Sequence, residues 1–266
     1  PIGYLIIKNS IEELRDQDKF KNLPIIEIQE LTNYNKTKST FEFDFEFVKR
    51  GLKLLHQWGT CVYFDEPKEL SNYVVLKPEF LTKEVMGKLF KPDLRHNFKD
   101  GILNHTNLKL FWPNYMDKAE MLMSLMEKFE ICFKLKEDEG RPFKDQRSLI
   151  VSYLPENKPQ ELSTYWPNKS LTKNEEIERI ILFNIIPTEM VSRLFVCLYQ
   201  SADSQIVWRY GMFLVSKENK NIRALVNIET ELIDQNGIEQ KGNSQVAELK
   251  SNDQFKIKNQ MNIKVR

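Results

Sequence analysis

Apolar positions along this chain fall into helical spacing in some stretches and strand spacing in others. Phe45, Val48, Leu52 and Leu55 follow one another at three and four residues, the period of one helical face, and Gly59 stands where a left-handed cap would end such a helix. Ahead of it, helices are expected over 10–22 and, behind Pro24, over 25–32, with the polar NYNKTKST at 33–40 as a loop. After Gly59, β-branched and aromatic runs at 60–64 and 73–76 flank the polar DEPKELSN, a hairpin pattern with a long loop. Pro78 then suits the first turn of a helix over 79–90. Helix, hairpin and helix in this order predict a winged-helix arrangement.

The same order returns further on. Leu122, Leu125, Met126 and Phe129 make a helical stripe, and strands at 131–135 and 149–154 flank KEDEGRPFKDQR. Cys61 and Cys132 hold equivalent places, and Pro78 and Pro155 follow the two second strands. Tandem winged units are therefore expected. A polar passage over 155–175, with Pro155, Pro159 and Pro167, reads as a linker. Beyond it come a strand at 177–186, a helix through Met190, Val191, Leu194, Phe195 and Leu198, and strands at 205–215 and 222–232 joined by the turn KENKN. Another turn is expected at 234–237, then a tail in which Ile257, Met261, Ile263 and Val265 alternate imperfectly. The predicted fold class is α+β: a helical N-terminal half with tandem winged-helix-like units, then a mainly antiparallel β half with a covering helix. Two domains, 1–158 and 159–266, follow.

Composition narrows the function more than it names it. Hydrophobic residues are 41% and charged ones 29% of 266, the balance of a soluble globular protein. Thirty-nine basic against 38 acidic residues leave a formal charge of +1, so no global field favours nucleic acid or an acidic membrane. Cys61, Cys132 and Cys197 sit in apolar runs and read as buried free thiols of a reducing compartment. No run reaches the length of a membrane span and no signal pattern opens the chain, so a cytoplasmic location is expected. The start at Pro1 without methionine and the abrupt stop at Arg266 suggest a piece of a longer protein.

Catalytic patterns are not legible. The nine glycines form neither GxxxxGK[ST] nor GxGxxG, so no phosphate cradle is expected. His56, His96 and His105 stand apart from one another and from any CxxC, which argues against zinc. His56 reads as structural at a helix end, and His96 and His105 as solvated. Three features exceed a bland reading. Trp112 and Tyr115 lie in a loop before a helix, a composition favoured at protein interfaces. Trp208 and Tyr210 are expected to share one face of a strand. Lys256, Lys258, Lys264 and Arg266 suggest a basic strand face, read as a solvated edge.

Taken in order, "LLHQWGTCVYF", "LSNYVVLKPEFL", "GILNHTNLKLFW", "NYMDKAEMLMSLMEKFEICF", "SLIVSYLP", "EMVSRLFVCLYQ" and "VWRYGMFLV" resemble the COR domain of Roco proteins, the segment after the Ras-like Roc GTPase domain. The resemblance implies a helical COR-A half that packs on Roc and a β-rich COR-B half that carries a homodimer contact. Tyr115 matches a family tyrosine that faces the GTPase, and Trp112 accompanies it as a candidate for the same interface. Trp208 and Tyr210 become candidates for the COR-B interface. GTP and Mg belong to Roc, and many members carry a serine/threonine kinase after COR, so this segment itself is expected to be a non-catalytic scaffold that couples nucleotide state to assembly. The parent could be recruited peripherally to membranes. Tyr115→Ala is expected to weaken Roc binding with little loss of stability. The rival is a winged-helix nucleic-acid-binding protein. Its first wing would carry Asp65, Glu66 and Glu69 against Lys68, a charge pattern that repels phosphates.

Overall fold

The computed structural model describes residues 2–166, 177–183, 188–233, 239–241 and 256–265. Contacts divide the chain into two compact units that interleave in sequence: 1–97, 104–129 and 137–146 form the first, and 98–103, 130–136 and 147–266 the second.

The first unit is built on α1 (Ile2–Arg15), α2 (Ile28–Lys38) and α3 (Phe45–Gln57). The predicted central helix is α3: Asp44 caps it by accepting from the Phe47 amide at 2.5 Å, and Val48, Leu52 and Leu55 are fully buried. Its C-terminus closes as expected on Gly59 at φ +71, with the Gly59 amide donating to the His56 carbonyl and Thr60 to Leu55. Helix α1 begins at Ile2, well ahead of the expected position, and ends at Arg15, short of the expected residue 22, and Gly3 and Gly51 let it approach α3 closely. A Cβ on Gly3 would stand 2.7 Å from the Phe47 ring, and one on Gly51 2.8 Å from Ile7. Tyr4 stacks on Phe47 at 4.9 Å within the same contact.

The expected helix at 25–32 is split. Ile25–Glu27 is strand β1, paired antiparallel with β2 (Tyr73–Val75), and α2 runs on through most of the expected loop at 33–40. Ladder hydrogen bonds from a distant segment override the local helical reading. The first predicted wing correspondingly shrinks to a single bridge, Val62 with Val75, and α4 (Lys68–Ser71) occupies its loop. The next helix starts at Pro78 as predicted: α5 (Pro78–Phe80) passes through a π-helical segment, Leu81–Met86, into α6 (Gly87–Leu89). Strand β3 (Ile102–Asn104), α7 (Leu108–Phe111) and α8 (Ala119–Lys128) follow. His105, expected in solvent, is buried. Its Nδ1 lies 2.8 Å from the Phe143 carbonyl, and its amide donates to Gln146, so it anchors the 137–146 loop.

The second predicted hairpin forms, with β4 (Cys132–Lys134) antiparallel to β5 (Arg147–Ile150); β3 adds to the other side of β5. The larger sheet of the second unit runs β6 (Ile177–Phe183), β11 (Lys256–Val265), β9 (Arg223–Ile233), β8 (Gly211–Val215) and β7 (Asp203–Trp208), with β10 (Glu239–Lys241) pairing β9. Alternation along the strands separates two apolar layers. Met212, Leu214, Val226 and Ile228 pack with Phe195, Val196 and Tyr199 of α10 (Thr188–Ser201). Phe213, Leu225, Ile206 and Trp208 pack with Leu162 and Trp166, at the two ends of the short segment containing α9 (Leu162–Tyr165).

Several expectations change here. The described part of the predicted linker, 155–166, stays largely exposed but is held to the sheet by Leu162 and Trp166, which are buried, while the Arg209 amide donates to the Pro155 carbonyl and Arg223 reaches the Tyr165 carbonyl at 3.2 Å. The strand predicted over 205–215 is two strands, with Arg209 and Tyr210 forming the turn between Trp208 and its partner Gly211. The basic tail strand is no edge, because β11 lies between β6 and β9. The turn at 234–237 lies outside the described residues.

Cys61 and Cys132 are buried as expected, whereas Cys197 is exposed on α10, where the helix turns that residue away from the core. Burial pushes the Cys61 thiol up to about 12, partly opposed by Arg15. Under native conditions only Cys197 should react promptly with a thiol reagent. Cys61 and Cys132 should react on unfolding alone, and a fast phase that survives Cys197→Ser would contradict this assignment.

Candidate interaction site

Two aromatic residues singled out in the sequence are brought together in the first unit. A short turn after α7 places Trp112 inward, fully buried, with its indole N–H donating to the Val85 carbonyl at 3.1 Å in the π-helical segment. Burying so large a side chain requires a partner for that N–H, and Val85 supplies it. Tyr115 follows at 5% exposure, its ring edge-on to Phe80 with centroids 5.4 Å apart. Its hydroxyl donates to Glu84 at 3.5 Å, the long limit of such a bond.

A charged rim closes over the pair. Lys88 lies 2.7 Å from Glu84, four residues apart on one helical face, and its ammonium stands 5.0 Å from the Tyr115 ring centroid. The hydrogen bond from Lys88, with its charge, lowers the Glu84 carboxyl below its ordinary range, and Glu84 in turn raises Lys88. Met116, next in sequence, is 41% exposed. Glu84 and Lys88 carried no sequence signal of their own; only their i, i+4 spacing could have pointed to them.

Elsewhere in this unit, Lys19, Phe20, Leu23, Ile25, Tyr73 and Lys118 line part of a groove of about 220 Å³, where Lys118 sits 4.6 Å over the Tyr73 ring. His56 rests against Phe64 with ring centroids 4.9 Å apart, and His96 is exposed. Trp208 and Tyr210, in the second unit, do not share a strand face. Trp208 ends β7 inside the core, against Gly211, whose missing side chain leaves room for the indole. Tyr210 is half-buried in the turn, and its carbonyl accepts from Ile228 at 2.7 Å. Among the described residues no three His, Cys, Asp or Glu converge as metal ligands, and no helix is long and apolar enough to cross a membrane.

The family model described as C-terminal of Roc, COR-A domain, matches residues 1–154. The chain belongs to the COR family of Roco proteins. This COR chain is 31% identical over 224 residues to the probable serine/threonine-protein kinase pats1 of Dictyostelium discoideum, covering 82% of the chain and 7% of that protein. It is 30% identical over 182 residues to the probable serine/threonine-protein kinase roco11 of the same organism, covering 64% and 12%. The COR chain thus spans a small fraction of the length of these relatives. Among solved structures, that of Methanosarcina barkeri Roco2 RocCORdC bound to GDP is similar at 19% identity and a TM-score of 0.43, over 57% of this chain and 43% of that one.

Burial corrects the expected effect of Tyr115→Ala. Removing a 5% exposed ring should cost about 3 kcal/mol of stability, whereas Tyr115→Phe, which loses one long hydrogen bond, should cost under about 1 kcal/mol. Chemical denaturation of the two variants checks this, and equal losses would contradict it. The Glu84–Lys88 pair predicts a pH signature. A lowered carboxyl contributes stability that is present above its ordinary range and fades as pH falls through the lowered value. The stability gap between the wild type and Glu84→Gln, under about 1 kcal/mol for so exposed a pair, should therefore be open at neutral pH and close in acid.

Proposed function

We propose that this COR chain is a non-catalytic module of a Roco protein that packs on the adjacent Roc GTPase domain and couples its nucleotide state to dimerisation and downstream kinase output. The observation that carries the reading is the COR-A match over residues 1–154, the family defined by its place C-terminal of Roc. The similarity to much longer probable kinases supports a parent with further domains. In this reading residues 1–158 act as COR-A and 159–266 as COR-B, GTP and Mg bind in Roc, and the parent works in the cytoplasm.

The Roc-facing surface is assigned to the rim over Tyr115. Tyr115 and Trp112 shape it from beneath, while Glu84, Lys88 and Met116 present it to a partner. A mixed charged pair beside an exposed methionine suits a regulated contact, polar at its margin and apolar within. The C-terminal half carries the homodimer contact. For coupling to exist, the chain must bind one nucleotide state of Roc better than the other; typical coupling of about 1 to 3 kcal/mol gives about a 5- to 150-fold difference.

Affinity of isolated Roc for this chain, measured with GDP and with a non-hydrolysable GTP analogue, tests the coupling; equal values would remove it. Lys88→Glu should weaken Roc binding by about tenfold while leaving the denaturation midpoint nearly unchanged. Unchanged binding would move the Roc contact off this rim.

A further inference from the structure

Several lysines of this chain meet a carboxylate, among them Lys8, Lys38, Lys53 and Lys88. Lys136 does not. It lies just beyond β4, where the Leu135 amide before it donates to the Arg147 carbonyl at 3.0 Å. Its side chain crosses the ring of Tyr199 in α10, with the ammonium 5.2 Å from the ring centroid, and donates to the Ala202 carbonyl at 2.6 Å. Ala202 follows Ser201, the last residue of α10, so the ammonium sits at the negative end of that helix. Phe133 of β4 holds the same ring with centroids 4.1 Å apart, and ring, carbonyl and lysine belong to one packed contact within the second unit. Both partners of the ammonium are neutral.

Two features weigh against charge at this position. Burial withholds water from the ammonium, and Lys217, beyond the end of β8, brings a second ammonium within hydrogen-bonding reach. Desolvation is the larger effect, and the two hold Lys136 below the ordinary lysine range against the pull of Asp203. A lysine nitrogen can accept a hydrogen bond only as the neutral amine, so the approach of Lys217 itself favours loss of a proton. The charged and titratable groups that face Lys136 are thus Lys217, Asp203 and Tyr199. A desolvated setting and a neighbouring cation are the two arrangements that turn a lysine into a nucleophile, and this residue has both. It is half-buried, so its nitrogen remains open to a reagent.

We propose that Lys136 is an acylation site of this chain, its amine taking the acyl group of a small acyl thioester. The ammonium first releases a proton to water. The amine lone pair then attacks the thioester carbonyl: a C–N bond forms, the C–S bond breaks, the thiolate leaves with the bonding pair, and the second proton lost from nitrogen passes to solvent. The product amide keeps one N–H for the Ala202 carbonyl but carries no charge. Acylation therefore removes the cation over Tyr199 and the repulsion from Lys217 together.

Incubation of the 266-residue chain with the acetyl thioester of N-acetylcysteamine at mildly alkaline pH, followed site by site with mass spectrometry, tests the assignment. Lys136 should be acetylated several-fold faster than Lys109, an exposed lysine of α7, and its rate should level off at a lower pH. Lys217→Gln, a change at an exposed position, should slow Lys136 and leave Lys109 as it was. In denaturant the preference should vanish, because the contacts with Tyr199, Ala202 and Lys217 exist only in the folded chain. Equal native rates at Lys136 and Lys109 would overturn the site. A preference that persists in denaturant would also overturn it, by tracing the reactivity to local sequence.

Discussion

The closeness of α1 to α3, permitted by Gly3 on one helix and Gly51 on the other, governs much of the first unit. Because no Cβ intervenes at either point, Ile7, Tyr4 and Phe47 interlock across the contact, and the buried face of α3 finds its partner at once. Helix α1 is then placed so that Arg15, in its last turn, reaches the Leu76 carbonyl at 2.7 Å and also bonds the Thr60 carbonyl. These two carbonyls lie where the chain leaves α3 and where β2 ends. One side chain thereby ties the helical layer to the small β1–β2 sheet, and Ile26, Val74 and Leu76 complete the core beneath.

The aromatic site inherits its precision from similar satisfaction of buried polar groups. Trp112 can be enclosed because Val85 accepts its N–H, and its position fixes the turn that delivers Tyr115 against Phe80. Glu84 and Lys88 come from the same helical stretch as Val85. The buried anchor and the charged rim therefore belong to one packed arrangement.

In the second unit, both faces of the sheet are covered across β7, β8 and β9 among the described residues. α10 covers one face through Phe195, Val196 and Tyr199, while Leu162 and Trp166 cover the other. The coverage of Trp208 also explains why an aromatic that looked interfacial in isolation is a core residue: Phe213, Leu225 and Leu162 enclose it, and Lys158 closes over its ring at 5.7 Å.

Local hydrogen bonding explains what could be read before folding. Helix α3, its cap at Asp44 and its Gly59 terminus were legible because helical bonds join residues four apart, so periodicity and caps lie within one short window of sequence. The amphipathic α10 was legible for the same reason, and the β4–β5 hairpin because its two strands are neighbours along the chain, as was the familiar order of motifs. Ladder partners and covering layers come from far away and leave no local trace. Ile25–Glu27 became a strand because Tyr73–Val75 lay beside it. His105 was buried by a loop thirty-eight residues on, Leu162 and Trp166 of the expected linker packed beside Trp208, and β11 of the basic tail was paired between β6 and β9. The sequence by itself determined the α+β class, the principal helices and the residues able to form a core. Which of its aromatic residues lie inside, and which strand is left as an edge, was decided only when distant segments competed for the same apolar surface and the same backbone hydrogen bonds.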